Sequence, residues 1–134
     1  MNIKRFLIAS IAVFVAFQAM DFIIHGVILM STYQALQSVW RPDMMEMMWI
    51  MRVGGLVMSF LLVYIFVKGY EGKGILEGVR FGLVTGLLMQ GVGSFMSYVM
   101  YPLPLMLAVW WALLGTAEFI VVGIIAAAIY RPKA

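Results

Sequence analysis

Four apolar stretches, Phe6 to Leu29, Met47 to Val67, Val79 to Tyr101 and Leu105 to Tyr130, limit what this chain can fold into. Each matches the roughly 20 helical residues that cross a hydrocarbon layer, and little chain is left between them. Backbone N–H and C=O groups in lipid must be satisfied within their own segment, so each stretch is expected to be a helix. The composition agrees: 65% of residues are hydrophobic, 11% are charged and the mean hydropathy is +1.05. A soluble domain is nearer half apolar and a quarter charged. The expected fold is therefore all-α, a single integral membrane domain over residues 1–134 built as an antiparallel four-helix bundle. Lys4 and Arg5 precede the first stretch as they would a secretory signal. That apolar run is too long for a signal, however, and no small-x-small cleavage site follows it, so it reads as a retained span.

Basic residues alternate between the two sides of such a bundle. Lys4, Arg5, Lys68, Lys73, Arg80, Arg131 and Lys133 fall on one side, and only Arg41 and Arg52 on the other. This bias puts both termini in the cytoplasm and argues against dual-topology insertion of the small multidrug-exporter type. It also explains the net charge of +3 without nucleic acid. Pro102 and Pro104 in "YPLP" force a hairpin between the last two spans, whereas "STYQALQSVWRPDMME" reads as an outer loop and "GYEGKG" as a flexible cytoplasmic turn. Trp40, Trp49, Tyr98, Tyr101, Trp110 and Trp111 fit an outer aromatic belt, with Tyr64, Tyr70 and Tyr130 opposite.

Gly78, Gly82, Gly86, Gln90, Gly93 and Ser97 recur every three or four residues and share one helix face, as in small-xxx-small packing. Ala112, Thr116, Gly123 and Ala127 form a second small face, either its partner or an oligomer contact.

Ionisable residues within the spans carry the functional reading, because a charge at the bilayer centre costs at least about 2.5–3.5 kcal/mol. Gln18, Asp21 and His25 lie within a helical arc of roughly 60°. Arg52 sits about a turn inside the second span, Gln90 lies in the third and Glu118 lies near the middle of the fourth. Together they suggest a polar column in the outer half of the bundle, with Arg52 as counter-ion to Asp21 or Glu118. The alternative is an interhelical network that only fixes register.

The absence of cysteine excludes disulfides, thiolate metal sites, iron–sulfur clusters and thiol redox chemistry. Met44, Met47, Met48 and Met51 have the helical spacing for a thioether Cu(I) site, although methionine also fills helix contacts. Bis-histidine haem ligation within one chain is impossible with a single histidine, which leaves His25 with a methionine, or a pair across a homodimer. No HExxH, nucleophile elbow or phosphate-binding glycine loop is present, so a non-enzymatic role is expected.

The segments "DFIIHGVIL", "GYEGKGILEGVRFGLVTGL" and "YPLPLMLAVW" resemble those of small, uncharacterised four-span bacterial membrane proteins of the domain-of-unknown-function kind. The resemblance implies a bacterial inner-membrane bundle and assigns no site. Two roles stay open. One is transport or sensing of a small solute, proton or cation by Gln18, Asp21, His25, Arg52, Gln90 and Glu118. The other is a non-catalytic accessory subunit of a membrane complex, and in either case a homo-oligomer or a membrane partner is expected.

Overall fold

The computed structural model describes residues 1–131; Lys133, one of the basic residues counted above, lies outside them. Among the described residues the chain is helical without strands. Helix α1 (Ile3–Ile23) continues into a π-helical turn, Ile24–Ile28, followed by the short α2 (Met30–Ala35). A 3₁₀ turn at Met45–Met47 leads into α3 (Met48–Lys68), and α4 (Ile75–Gly86) joins α5 (Val92–Met100) through a second π-turn, Leu87–Gly91. Helix α6 (Leu105–Ile129) closes the bundle. Four continuous helical segments, Ile3–Ile28, Met45–Lys68, Ile75–Met100 and Leu105–Ile129, are long and apolar enough to cross a membrane.

Helices α1 and α6 form the centre of the bundle. Helix α3 packs on α1, and α4 packs on α6. Val13, Phe17, Val63, Phe119 and Val122 are buried where they meet, and the Phe17 and Phe119 rings make an edge-to-face contact at 5.3 Å. The chain ends meet: the Asn2 N–H donates to the Tyr130 hydroxyl at 3.0 Å. Tyr70, between α3 and α4, stacks edge-on against Tyr130, so this connection lies at the same end.

The seam between α4 and α6 follows from the small-residue pattern. A Cβ on Gly78 would lie 2.8 Å from the Ala127 Cβ and against the Gly123 carbonyl, and one on Gly82 would fall on the Phe119 carbonyl. Only hydrogen fits at either position. Helix α6 is thus the partner of the glycine face, through Thr116, Gly123 and Ala127. Gly93, expected on the same face, stands clear, with no atom near a Cβ built on it. The π-turn is the reason: its extra residue advances the register by one, so that Ser94 is buried in place of Gly93.

Two connections are more ordered than the sequence suggests. The "GYEGKG" turn is clamped by buried Glu77, whose carboxylate accepts the Glu71 N–H at 2.6 Å and the Lys73 N–H at 2.8 Å. Glu71 pairs with Lys73 and with Arg80 at 3.0 Å, and these cations hold its carboxyl below the usual range. Gly72 and Gly74, both at φ 75°, supply the left-handed backbone this turn needs. The clamp lets the third span begin at Ile75, four residues before the expected Val79. The segment expected as an outer loop forms α2 and then folds back, with Tyr33, Leu36, Val39 and Trp40 packed over Ile24, Leu29, Leu103 and Leu107. Their spacing of three and four puts these apolar residues on one side.

The α4–α6 seam makes opposite predictions for two glycines. Gly82→Ala should destabilise the folded bundle by about 1–3 kcal/mol through overpacking against backbone. Gly93→Ala should be neutral or stabilising, because alanine is the better helix former by up to about 1 kcal/mol. Thermal unfolding of both variants in detergent checks the pair; equal losses would contradict the seam.

Candidate functional site

Near the end opposite the termini, α1, α6 and the two π-turns enclose a cavity of about 190 Å³ lined by Asp21, Ile24, His25, Gln90, Trp111, Gly115 and Glu118. Helical spacing explains the set: Asp21, Ile24 and His25 fall at i, i+3 and i+4, and Trp111, Gly115 and Glu118 at i, i+4 and i+7. Gln90 sits in the second π-turn, and its side chain lies across Gly115, where a Cβ would meet the Gln90 Cγ at 2.6 Å. Each π-turn therefore delivers a polar side chain, His25 or Gln90, to the same cavity. Such turns recur at functional sites.

Glu118 is the most enclosed polar group of the site. Its side chain is 5% exposed, and Oε1 has no hydrogen-bond partner among the described residues. Its carboxyl and that of Asp21, on opposite sides of the α1–α6 interface, line the same cavity. Ionised carboxylates only accept, so a hydrogen bond between the two requires a proton on one of them. The cavity wall contains no lysine or arginine.

Beyond Asp21 the polar contacts continue outward. His25 Nε2 stands 3.6 Å from Asp21 Oδ1, close enough for their charges to interact but longer than a direct hydrogen bond. His25 Nδ1 contacts the Tyr33 hydroxyl at 2.5 Å, and Trp111 Nε1–H donates to the same hydroxyl at 2.7 Å. Indole only donates, so the Tyr33 oxygen is the acceptor there and its own hydrogen is free to go to His25 Nδ1. Burial raises the Tyr33 phenol above its ordinary value, with Trp111 opposing the shift, so the hydroxyl keeps that hydrogen at neutral pH. A neutral His25 then carries its proton on Nε2, facing Asp21. The path runs Glu118, Asp21, His25, Tyr33, Trp111.

The structure brings together four of the six predicted polar residues: Asp21, His25, Gln90 and Glu118. Gln18 is half-buried one turn away, with its amide near Gly55 of α3. Arg52 is exposed on α3 and makes no ion pair with either acid among the described residues, which corrects its expected role as counter-ion. Depth along a helix was readable, but the side of α3 that faces α1 was not: Ser59, Leu62, Val63 and Phe66 take that side. Of the methionines, Met47, Met48 and Met51 lie in the continuous helical segment Met45–Lys68, and Met44 lies in the turn before it. Tyr33, Trp111, Ile24 and Gly115 were not anticipated as site residues. The spacing of Gly115 from Glu118 was the available signal for one of them.

Several hydroxyls in the spans are satisfied locally. Ser10, Ser59, Thr85 and Ser97 each donate to the carbonyl four residues earlier at 2.8–2.9 Å. Thr116 Oγ1 and Glu118 Oε1 are the buried side-chain atoms without partners among the described residues, and both sit on α6. No family model matches the chain, and no curated protein or solved structure is significantly similar to it.

Tyr33→Phe tests the outward path. Loss of the phenol should change the His25 ring from a defined Nε2–H tautomer to a mixture, read from imidazole ¹⁵N shifts of the labelled protein. Unchanged shifts would mean that Tyr33 does not set the tautomer.

Proposed function

We propose that this chain is a multi-pass protein of a bacterial inner membrane, with both termini cytoplasmic, that transports or senses a proton or small cation through the Asp21–Glu118 cavity in the outer half of the bundle. The observation that carries the reading is the buried Glu118 carboxyl, which lines the cavity with one oxygen unpartnered among the described residues and shares that cavity with a second acid, Asp21. An interhelical tie would satisfy its polar atoms within the protein, as the hydroxyls of Ser10 and Ser59 are satisfied by donating to the carbonyl four residues earlier. An anion lacks a cationic partner, because Arg52 stands elsewhere. A multivalent metal is disfavoured too, since no three His, Asp or Glu side chains among the described residues converge as metal ligands. The orientation rests on the basic-residue bias and on the meeting of Asn2 with Tyr130 at one end.

A second reading, an accessory subunit of a membrane complex or a homo-oligomer, draws on α5. That helix buries only Ser94, and Val92, Phe95, Met96, Val99 and Met100 leave an apolar groove on its outside.

Infrared difference spectroscopy in liposomes separates cavity chemistry from an interhelical tie. The wild type should show the C=O band of a protonated carboxyl, and Glu118→Gln should remove it together with any pH-driven flux or response, while stability changes by no more than about 1 kcal/mol. If Glu118→Gln and Asp21→Asn instead melt the bundle and the wild type has no such band, the acids are structural.

A further inference from the structure

The lining of this cavity also specifies a ligand, given the proton-binding reading above. It offers three side chains with acceptor oxygens, Asp21, Glu118 and Gln90, beside the apolar faces of Ile24 and Trp111. A monovalent metal ion would find at most five side-chain oxygens here, two each from Asp21 and Glu118 and one from Gln90, and would draw on water for the rest of its shell. A primary ammonium group has three N–H donors, one for each of the three acceptors. Its alkyl part suits the apolar side chains of Ile24 and Trp111. The cavity of about 190 Å³ holds roughly six groups of water size, taking about 30 Å³ for each. That admits an alkylammonium of a few carbons.

We propose that the cavity binds a small primary alkylammonium ion in exchange for the proton held between Asp21 and Glu118. Before exchange the pair is one carboxyl and one carboxylate, with net charge −1. When R–NH₃⁺ enters, the carboxyl releases its proton and both carboxylates accept hydrogen bonds from the ammonium, so the loaded site again carries −1. A buried site favours such an exchange because its total charge does not change. The other groups that bear on Glu118 are few. Asp21 of α1 and His25 of the first π-turn share its cavity, and Tyr33 of α2 contacts His25. Gln90 in the π-turn does not titrate. On α4, Glu77 and Arg80 lie toward the termini, and on α3 Arg52 is exposed. Protonated His25 would oppose the cation, which reinforces competition at low pH.

The test uses the full chain in detergent, with n-butylammonium as probe and sodium and tetramethylammonium as comparison ions. Calorimetry in buffers of different ionisation enthalpy should give close to one proton released per butylammonium bound. Its apparent Kd should rise about tenfold for each pH unit lowered while the pair holds its proton. Sodium and tetramethylammonium, lacking the three N–H donors, should bind at least about tenfold more weakly. Glu118→Gln should abolish the proton release, and Gln90→Leu, which keeps both acids, should weaken binding about tenfold with release retained. A protonated-carboxyl infrared signal without butylammonium binding would overturn the ligand assignment and leave the proton site standing. Equal binding of sodium would also overturn it. Absence of both signal and binding would remove the proton site itself.

Discussion

A carboxyl in the middle of the most apolar helix governs how this bundle is arranged. The α6 span has a hydropathy of 2.3, the highest of the four, yet Glu118 lies on it and is buried. An ionised carboxylate removed from water carries a desolvation penalty of several kcal/mol unless it is paired or protonated. Helix α1 packs on α6 and brings a second acid, Asp21, to the same cavity, so the cost is avoided only when one of the two holds a proton. The faces of α6 are divided accordingly. Thr116, Gly123 and Ala127 receive the backbone of α4, while Trp111, Gly115 and Glu118 look into the cavity. Phe119, Val122 and Ala126 fill the core between them.

The two π-turns tie this arrangement to its chemistry. Each replaces an i→i+4 bond with i→i+5, Leu29 N–H to the Ile24 carbonyl and Val92 N–H to the Leu87 carbonyl. The inserted residue rotates everything beyond it, which costs helix regularity and re-aims a side chain. Both occur where α1 and the α4–α5 segment pass the same cavity. Around it α2 folds back, and its Tyr33 joins His25 to Trp111.

Much of the fold was legible because its signals are compositional or periodic. Four long apolar runs and two prolines in "YPLP" sufficed for the helices, and the glycines at 78, 82 and 86 for the tightest seam. The periodicity failed at Gly93 because a π-turn has no sequence signature as strong as its geometric effect. In the site, Asp21, His25, Gln90 and Glu118 stood out as polar groups in an apolar setting. Tyr33 and Trp111 did not, because aromatic residues near a span end also fit a belt at the lipid surface, and only the folding back of α2 brings Tyr33 to the cavity. Arg52 misled for a related reason: rise per residue gives depth, but the facing side of a nearly all-apolar helix such as α3 leaves little trace in its sequence.

The meeting of Asp21 and Glu118 across α1 and α6 is the claim on which the site rests, and a chain without cysteine allows a direct measurement. Cysteines introduced by Asp21→Cys and Glu118→Cys should be joined within one chain by a short bis-methanethiosulfonate linker in native membranes. The pair Arg52→Cys and Glu118→Cys should not be. Efficient linkage of the second pair with none of the first would place Arg52, not Asp21, beside the buried acid and contradict the account.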